Sequence, residues 1–274
     1  MRQLTESCLE IIKKRPDHSH KGTFGKTLLI GGNAQYGGAI MMSAEACVNA
    51  GAGLTTIACD STNKTALHAR MPEVMIIDWN DEKALTSVFS QADVLLIGPG
   101  LGTDKHGANL LEWVLQHQKE SQWLIIDGSA ITLMANNRYK LSFPKQTIFT
   151  PHEMEWQRLS GLAIKDQKES FNQKVQEVMQ AIIVLKSSQT EIYTNEGGFR
   201  NISGNPGMAT GGMGDTLAGI ITAFMAQFDK NVATINAAVY LHSFVGNELA
   251  KENYIVLPTK ISEALPYWMK HFEN

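Results

Sequence analysis

The sequence predicts an α/β protein of three layers, a mostly parallel sheet between helices on both faces, and three observations predict it. Short Val, Ile and Leu runs alternate with stretches of helical periodicity along most of the 274 residues, the pattern of a sheet covered on both faces. Glycines punctuate the carboxyl ends of those runs, at Gly31-Gly32, Gly98-Pro99-Gly100-Leu101-Gly102 and Asp127-Gly128, the edge at which open α/β sheets bind ligands. A further glycine-rich stretch, residues 204–219, runs directly into an apolar helical pattern, as a phosphate-binding loop does.

Strands are expected where unbroken apolar runs of strand length occur, at 27–31, 54–58, 74–77, 94–97, 124–126, 147–149 and 182–186. Helices are expected where apolar residues recur every three or four positions, at 3–14, 39–50, 108–118, 153–159, 169–179, 215–226, 233–251 and 260–272. No linker, repeat or low-complexity tract divides these elements, so residues 1–274 are read as a single domain.

Composition narrows the function. A hydrophobic content of 43% with 19% charged residues is that of an ordinary globular protein, and no apolar run is long enough for a membrane helix. A net charge of −3 and the absence of an aromatic-basic motif argue against nucleic acid as a partner. The amino terminus, Met1-Arg2-Gln3-Leu4-Thr5-Glu6, has no apolar stretch behind its positive charge, so the cytoplasm is the expected compartment. Cys8, Cys47 and Cys59 lie far apart in apolar or helical surroundings and read as reduced packing residues. The histidines show no H-x-x-x-H or H-E-x-x-H spacing, so no structural metal is expected.

The chemistry concentrates in Gly211-Gly212-Met213-Gly214-Asp215. Glycines there free the main chain to turn its amides toward an anion, and Leu217, Ile220, Ile221 and Phe224 then follow at helical spacing. Asp215 falls in the first helical turn, where the dipole favours a carboxylate and a substrate hydroxyl can meet it. A glycine-rich turn before a helix is often just a tight connection. Three glycines, the Asn205-Pro206-Gly207 turn and an uninterrupted apolar helix favour phosphoryl transfer instead. Other residues leave two readings open. Asp127 ends a buried run and either caps the next helix or serves the site, and Lys186 ends a strand and either reaches solvent or faces a phosphate. His152 fits a helix cap or surface position as well as a substrate contact, and Glu155 could be an exposed helix acid.

In order along the chain, His20-Lys21-Gly22-Thr23-Phe24-Gly25-Lys26, Gly37-Gly38-Ala39, Ala50-Gly51-Ala52-Gly53-Leu54, Gly98-Pro99-Gly100-Leu101-Gly102, Thr150-Pro151-His152, Val184-Leu185-Lys186 and the loop ending in Asp215 resemble the ribokinase-like superfamily, and within it the NAD(P)H-hydrate dehydratases. The resemblance implies a ribokinase-like fold, ADP or ATP as phosphoryl donor with Mg2+ on its phosphates, and the S epimer of NADH hydrate or NADPH hydrate as substrate, with AMP and phosphate as products when ADP is the donor. It implies Asp215 as catalytic carboxylate, Ala39, Gly102 and His152 with Asp215 around the hydrate, and Lys186, Ser187, Ser188, Gln189 and Thr190 with Gly211, Gly212 and Gly214 along the nucleotide. It also implies a homo-oligomer, a homotetramer by family precedent. No epimerase domain is expected before Thr23, so epimer exchange falls to a separate NAD(P)H-hydrate epimerase.

The chain departs from the family at three places. Asp127-Gly128-Ser129-Ala130 stands for D-A-D-A, His152-Glu153-Met154-Glu155 for H-P-G-E, and Lys186-Ser187-Ser188-Gln189-Thr190 lacks the glycine of K-G-x-x-T. Two rival functions share the loop: a small-molecule kinase of the hydroxymethylpyrimidine or hydroxyethylthiazole type, and a nucleotide-binding sensor without turnover.

Overall fold

The computed structural model describes residues 1–274. Ten strands join in one continuous sheet: β1 (Arg2–Gln3), β2 (Lys26–Ile30), β3 (Leu54–Cys59), β4 (Met75–Asp78), β5 (Val94–Ile97), β6 (Trp123–Ile126), β7 (Thr147–Phe149), β8 (Ile182–Leu185), β9 (Glu191–Thr194) and β10 (Gly197–Arg200). Their order is β1-β10-β9-β8-β7-β6-β5-β2-β3-β4. β9 runs antiparallel to β8 and β10, and every other pairing is parallel.

The helices are α1 (Gly37–Asn49), α2 (Lys64–Arg70), α3 (Glu82–Phe89), α4 (Lys105–His117), α5 (Ser129–Asn137), α6 (Glu153–Ser160), α7 (Glu169–Met179), α8 (Met213–Gln227), α9 (Val232–Ala250) and α10 (Pro258–His271). The pleat sends alternate residues of β2 to opposite faces. Leu28 and Ile30 enter a core with Leu85 and Phe89 of α3, Leu111 of α4, Ile131 of α5 and Trp156 of α6. Leu29 enters the other core with Ile40 of α1, Ile221 of α8, Leu241 of α9 and Leu265 of α10. These are the three layers the alternating pattern announced. α8 is apolar on nearly every side, with Thr216 through Met225 all buried, as a helix enclosed by other helices and the sheet must be.

All seven expected strands form, their ends moved by a residue or so. The helix expected at 3–14 does not. Arg2–Gln3 instead adds a parallel strand beside β10, Leu4 N–H continues that ladder to Arg200 O, and Glu6–Ile11 is a 3-10 helix. Pairing with the sheet edge thus overrides local periodicity, and the turn that follows needs to bury just Leu9 and Ile12. The β9–β10 hairpin and helices α2, α3 and α5 lie outside the expected elements. Cys8, Cys47 and Cys59 are free, and burial pushes the Cys47 and Cys59 thiols up to about 11, in keeping with packing residues.

Candidate active site

Three neighbouring parallel strands end side by side and bring Asp127, Thr150 and Lys186 together. β6 pairs with β7 and β7 with β8, and the register is extended by a bridge between His152 and Lys186, with Lys186 N–H donating to Pro151 O at 2.8 Å. Asp127 is 1% exposed, and its Oδ1 accepts from Thr150 Oγ1 at 2.6 Å and from Lys186 Nζ at 2.7 Å. This answers the question left open at Asp127: its carboxylate binds across the strand ends, and α5 has no side-chain cap. Gly98 makes the close approach possible. It stands at φ +129°, and a Cβ there would lie 1.7 Å from Asp127 O, a space that only glycine leaves.

The start of α8 faces these strand ends. Gly212, at φ +98°, turns the chain into the helix, and Asp215 follows in its first turn. Ser43 Oγ of α1 donates to Asp215 O at 2.9 Å and approaches Ala39 O at 3.2 Å. The starts of α1 and α8, and with them Ala39 and Asp215, are therefore fixed against each other. Burial raises the Asp215 pKa to about 7, with Asp127 and Glu155 adding to the rise and Lys186 opposing it. A carboxylate so placed changes protonation near neutral pH, as a general base needs.

Lys186 stays cationic. Burial disfavours its charge, but Asp127, Glu155 and Asp215 outweigh burial and hold its pKa above the ordinary lysine value. A Cβ at Gly214 would sit 2.9 Å from Lys186 Nζ, so the ammonium lies directly against the main chain at the helix start. An ammonium beside the free amides of a helix N-terminus makes a place for a phosphate group.

A cavity of about 470 Å3 opens from this point, a size suited to a nucleotide. Lys186, Ser187, Ser188 and Thr190 form one wall, Gly214 and Leu217 the α8 side, Val239, His242 and Ser243 of α9 another wall, and Ser203 to Pro206 a facing loop. Five of the expected nucleotide residues thus share one cavity. Gln189 is exposed, its N–H donating to Ser187 Oγ at 3.1 Å, and Gly211 and Gly212 lie in the approach to α8 outside the cavity lining.

The expected hydrate residues lie along the same carboxyl edge, outside that cavity. Ala39 is in the first turn of α1, and Gly102, at φ +87°, lies next to Asn33 after β5. His152 caps α6: its Nδ1 accepts from Met154 N–H at 3.1 Å and Glu155 N–H at 3.4 Å, while Glu155 Oε2 accepts from His152 N–H at 2.9 Å. The His152-Glu153-Met154-Glu155 variant therefore keeps a full capping box. Burial and the charge of Lys186 lower the His152 pKa, and burial raises that of Glu155.

No group of three or more His, Cys, Asp or Glu side chains is arranged to hold a metal ion. His242 and Ser203 are site features the sequence reading missed, whereas Gly204, Asn205 and Pro206 belong to the glycine-rich stretch it singled out. His242 belongs to no motif, and its signal was a histidine beside the apolar Leu241 and one turn beyond Val239 in the middle of α9.

The family profile described as NAD(P)H-hydrate dehydratase matches residues 27–267. A protein of Enterococcus faecalis named ADP-dependent (S)-NAD(P)H-hydrate dehydratase is 56% identical over 274 residues, 99% of this chain and 94% of its own length. One of the same name from Staphylococcus aureus is 48% identical over 263 residues, covering 96% and 95% of the two chains. Among solved structures, a ribokinase-like superfamily protein of E. faecalis superposes with a TM-score of 0.98 at 54% identity over 100% of this chain and 96% of its own. An ADP/ATP-dependent NAD(P)H-hydrate dehydratase of Bacillus subtilis, co-crystallised with ATP and Mg2+, gives 0.86 at 26% identity and 98% coverage of both chains. A profile spanning the whole site, relatives matched nearly end to end and a shared fold place this chain in the NAD(P)H-hydrate dehydratase family, within the ribokinase-like superfamily.

Proposed function

We propose that the chain removes water from the S epimer of NADH hydrate or NADPH hydrate with ADP as phosphoryl donor, restoring the reduced coenzyme and releasing AMP and phosphate. One observation carries the reading: a half-buried carboxylate whose pKa burial lifts to about 7, Asp215, stands in the same helical turn as Gly214, against which the Lys186 ammonium lies. Lys186 and the α8 amides hold the transferable phosphate while Asp215 faces the hydroxyl at C6 of the hydrated ring. Asp215 takes the hydroxyl proton as the oxygen attacks phosphorus and AMP departs. The ring-nitrogen lone pair then expels phosphate from C6, and loss of a proton from C5 closes the dihydropyridine. Phosphorylation comes first because phosphate leaves far more readily than hydroxide.

Ala39, Gly102 and His152 flank the hydrate in this reading. Lys186, Ser187, Ser188 and Thr190 hold the nucleotide with Gly214, while Gln189, Gly211 and Gly212 support the loops on either side. Magnesium, when present, comes with the phosphates of the nucleotide, since such ions use few protein ligands; the oxygen Asp127 turns to the site already accepts from Lys186 and Thr150. Residues 1–274 act as one catalytic domain, a reading supported by the unbroken sheet. The R epimer needs an epimerase supplied by another protein. Self-association is supported by Tyr254, Ile255, Leu257 and Tyr267, large apolar side chains left exposed near one another in the chain. Three free cysteines fit a reducing cytoplasm, and no helix is long and apolar enough to cross a membrane.

The test is incubation with chemically hydrated NADH and ADP while the dihydronicotinamide absorbance is followed. Return of that absorbance, with AMP formed in equal amount, supports the reading. A stable phosphorylated product would make the chain a kinase, and nucleotide binding without any product would make it a sensor.

A further inference from the structure

Six buried side-chain polar atoms have no hydrogen-bond partner, and His242 Nε2 is the one that belongs to a residue lining the 470 Å3 cavity. The residue is 6% exposed and sits within α9, one turn beyond Val239. A buried ring nitrogen with nothing to bond costs free energy. Of the six, this is the one on a residue that a ligand in the cavity would touch.

The surroundings indicate which part of a ligand that is. The cationic end of the cavity is at Lys186 and Gly214, whereas His242 shares its wall with Val239 and Ser243. Burial and the charge of Lys186 lower the His242 pKa to about 4, so the ring is neutral and suits an uncharged partner. The wall is already in place: Asn201 Nδ2 donates to Ser243 Oγ at 2.9 Å, and Asn247 Nδ2 donates to Ser203 Oγ at 2.8 Å, which ties the facing loop to α9.

We propose that His242 is a nucleotide-binding residue whose Nε2 hydrogen-bonds an uncharged polar atom of the nucleoside half of bound ADP, while Lys186 and the α8 amides take its phosphates. The proposal rests on the reading of this cavity as the nucleotide site. It gives His242 a role that a packing residue lacks, since its benefit appears only with nucleotide bound.

Calorimetric titration of His242→Leu and His242→Gln with ADP, AMP and inorganic pyrophosphate, alongside the melting temperature of the free protein, tests it. Leucine is expected to weaken ADP and AMP by the same factor, about tenfold, to leave pyrophosphate unchanged and not to lower the melting temperature of the free protein. Glutamine, which restores a polar group, is expected to recover part of the lost affinity and carries the test if the leucine variant fails to fold. Unchanged ADP affinity in the folded leucine variant, or pyrophosphate weakened as much as AMP, would overturn the proposal. So would a lower melting temperature in both variants with no recovery of affinity by glutamine. Failure of the unsubstituted protein to bind ADP would instead remove the nucleotide site itself, and the proposal with it.

Discussion

Lys186 Nζ donates to Asp127 Oδ1 at 2.7 Å, joining the ends of β6 and β8 beneath the first turn of α8. The lysine is thereby held against Gly214 while its charge is shared with Asp127, and Asp215 is not fully compensated. The base and the phosphate site are thus set by one ion pair, and several consequences can be measured.

Activity should depend on pH through Asp215. Its pKa near 7 means that kcat/KM for the hydrate falls below neutral pH, by about 100-fold two units under the apparent pKa, because the free enzyme's base is then protonated. Asp127→Asn removes a negative neighbour and should move that acid limb to lower pH by about one unit. Lys186→Met removes the opposing cation and should move it upward. The pH profiles of the three proteins check the order, and coincident limbs would show that Asp215 is not the titrating group.

Gly214→Ala should weaken ADP without unfolding the protein. The position is helical, so alanine is tolerated by the backbone, but its Cβ would meet Lys186 Nζ at 2.9 Å and displace the ammonium. KM for ADP is expected to rise about tenfold, the effect of losing roughly 1.4 kcal/mol of phosphate binding. Initial rates at varied ADP, with the melting temperature as a control, measure it.

Removing the Asp215 charge should stabilise the fold in a pH-dependent way. The folded state holds the proton up to a pKa of about 7, whereas the unfolded chain releases it at the ordinary value of 3.8, so folding loses stability as pH rises between the two. The cost is complete above the upper value and absent below the lower one. Asp215→Asn should therefore melt a few degrees higher than the unsubstituted protein at about pH 8, with the difference vanishing near pH 4. Thermal melts at both pH values test the sign.

Much of this site was legible in the residue string. The apolar runs ending at Gly98, Asp127 and Lys186 are parallel strands buried on both faces, and their length and composition say so. The loop before α8 also announced itself, since Gly212 needs its left-handed φ and Gly214 leaves room for Lys186. What escaped notice depends on contacts distant in sequence. Arg2–Gln3 is a strand because β10 lies beside it, Arg2 pairing with Phe199 and Gln3 with Arg200. Helix α5 follows Gly128 with no capping side chain, so no start signal marked it. Asp127 was ambiguous because its partners, Thr150 and Lys186, arrive from two other strands. His242 was silent because a missing partner can be seen only in three dimensions.

The most direct measurement is the turnover of Asp215→Asn on the S epimer of NADH hydrate at saturating ADP, beside its dissociation constant for ADP. A base that acts in the transition state should take kcat down by roughly three orders of magnitude when removed, with the ADP constant nearly unchanged. Turnover equal to that of the unsubstituted enzyme would contradict the assignment of Asp215, and with it the account of how this site works.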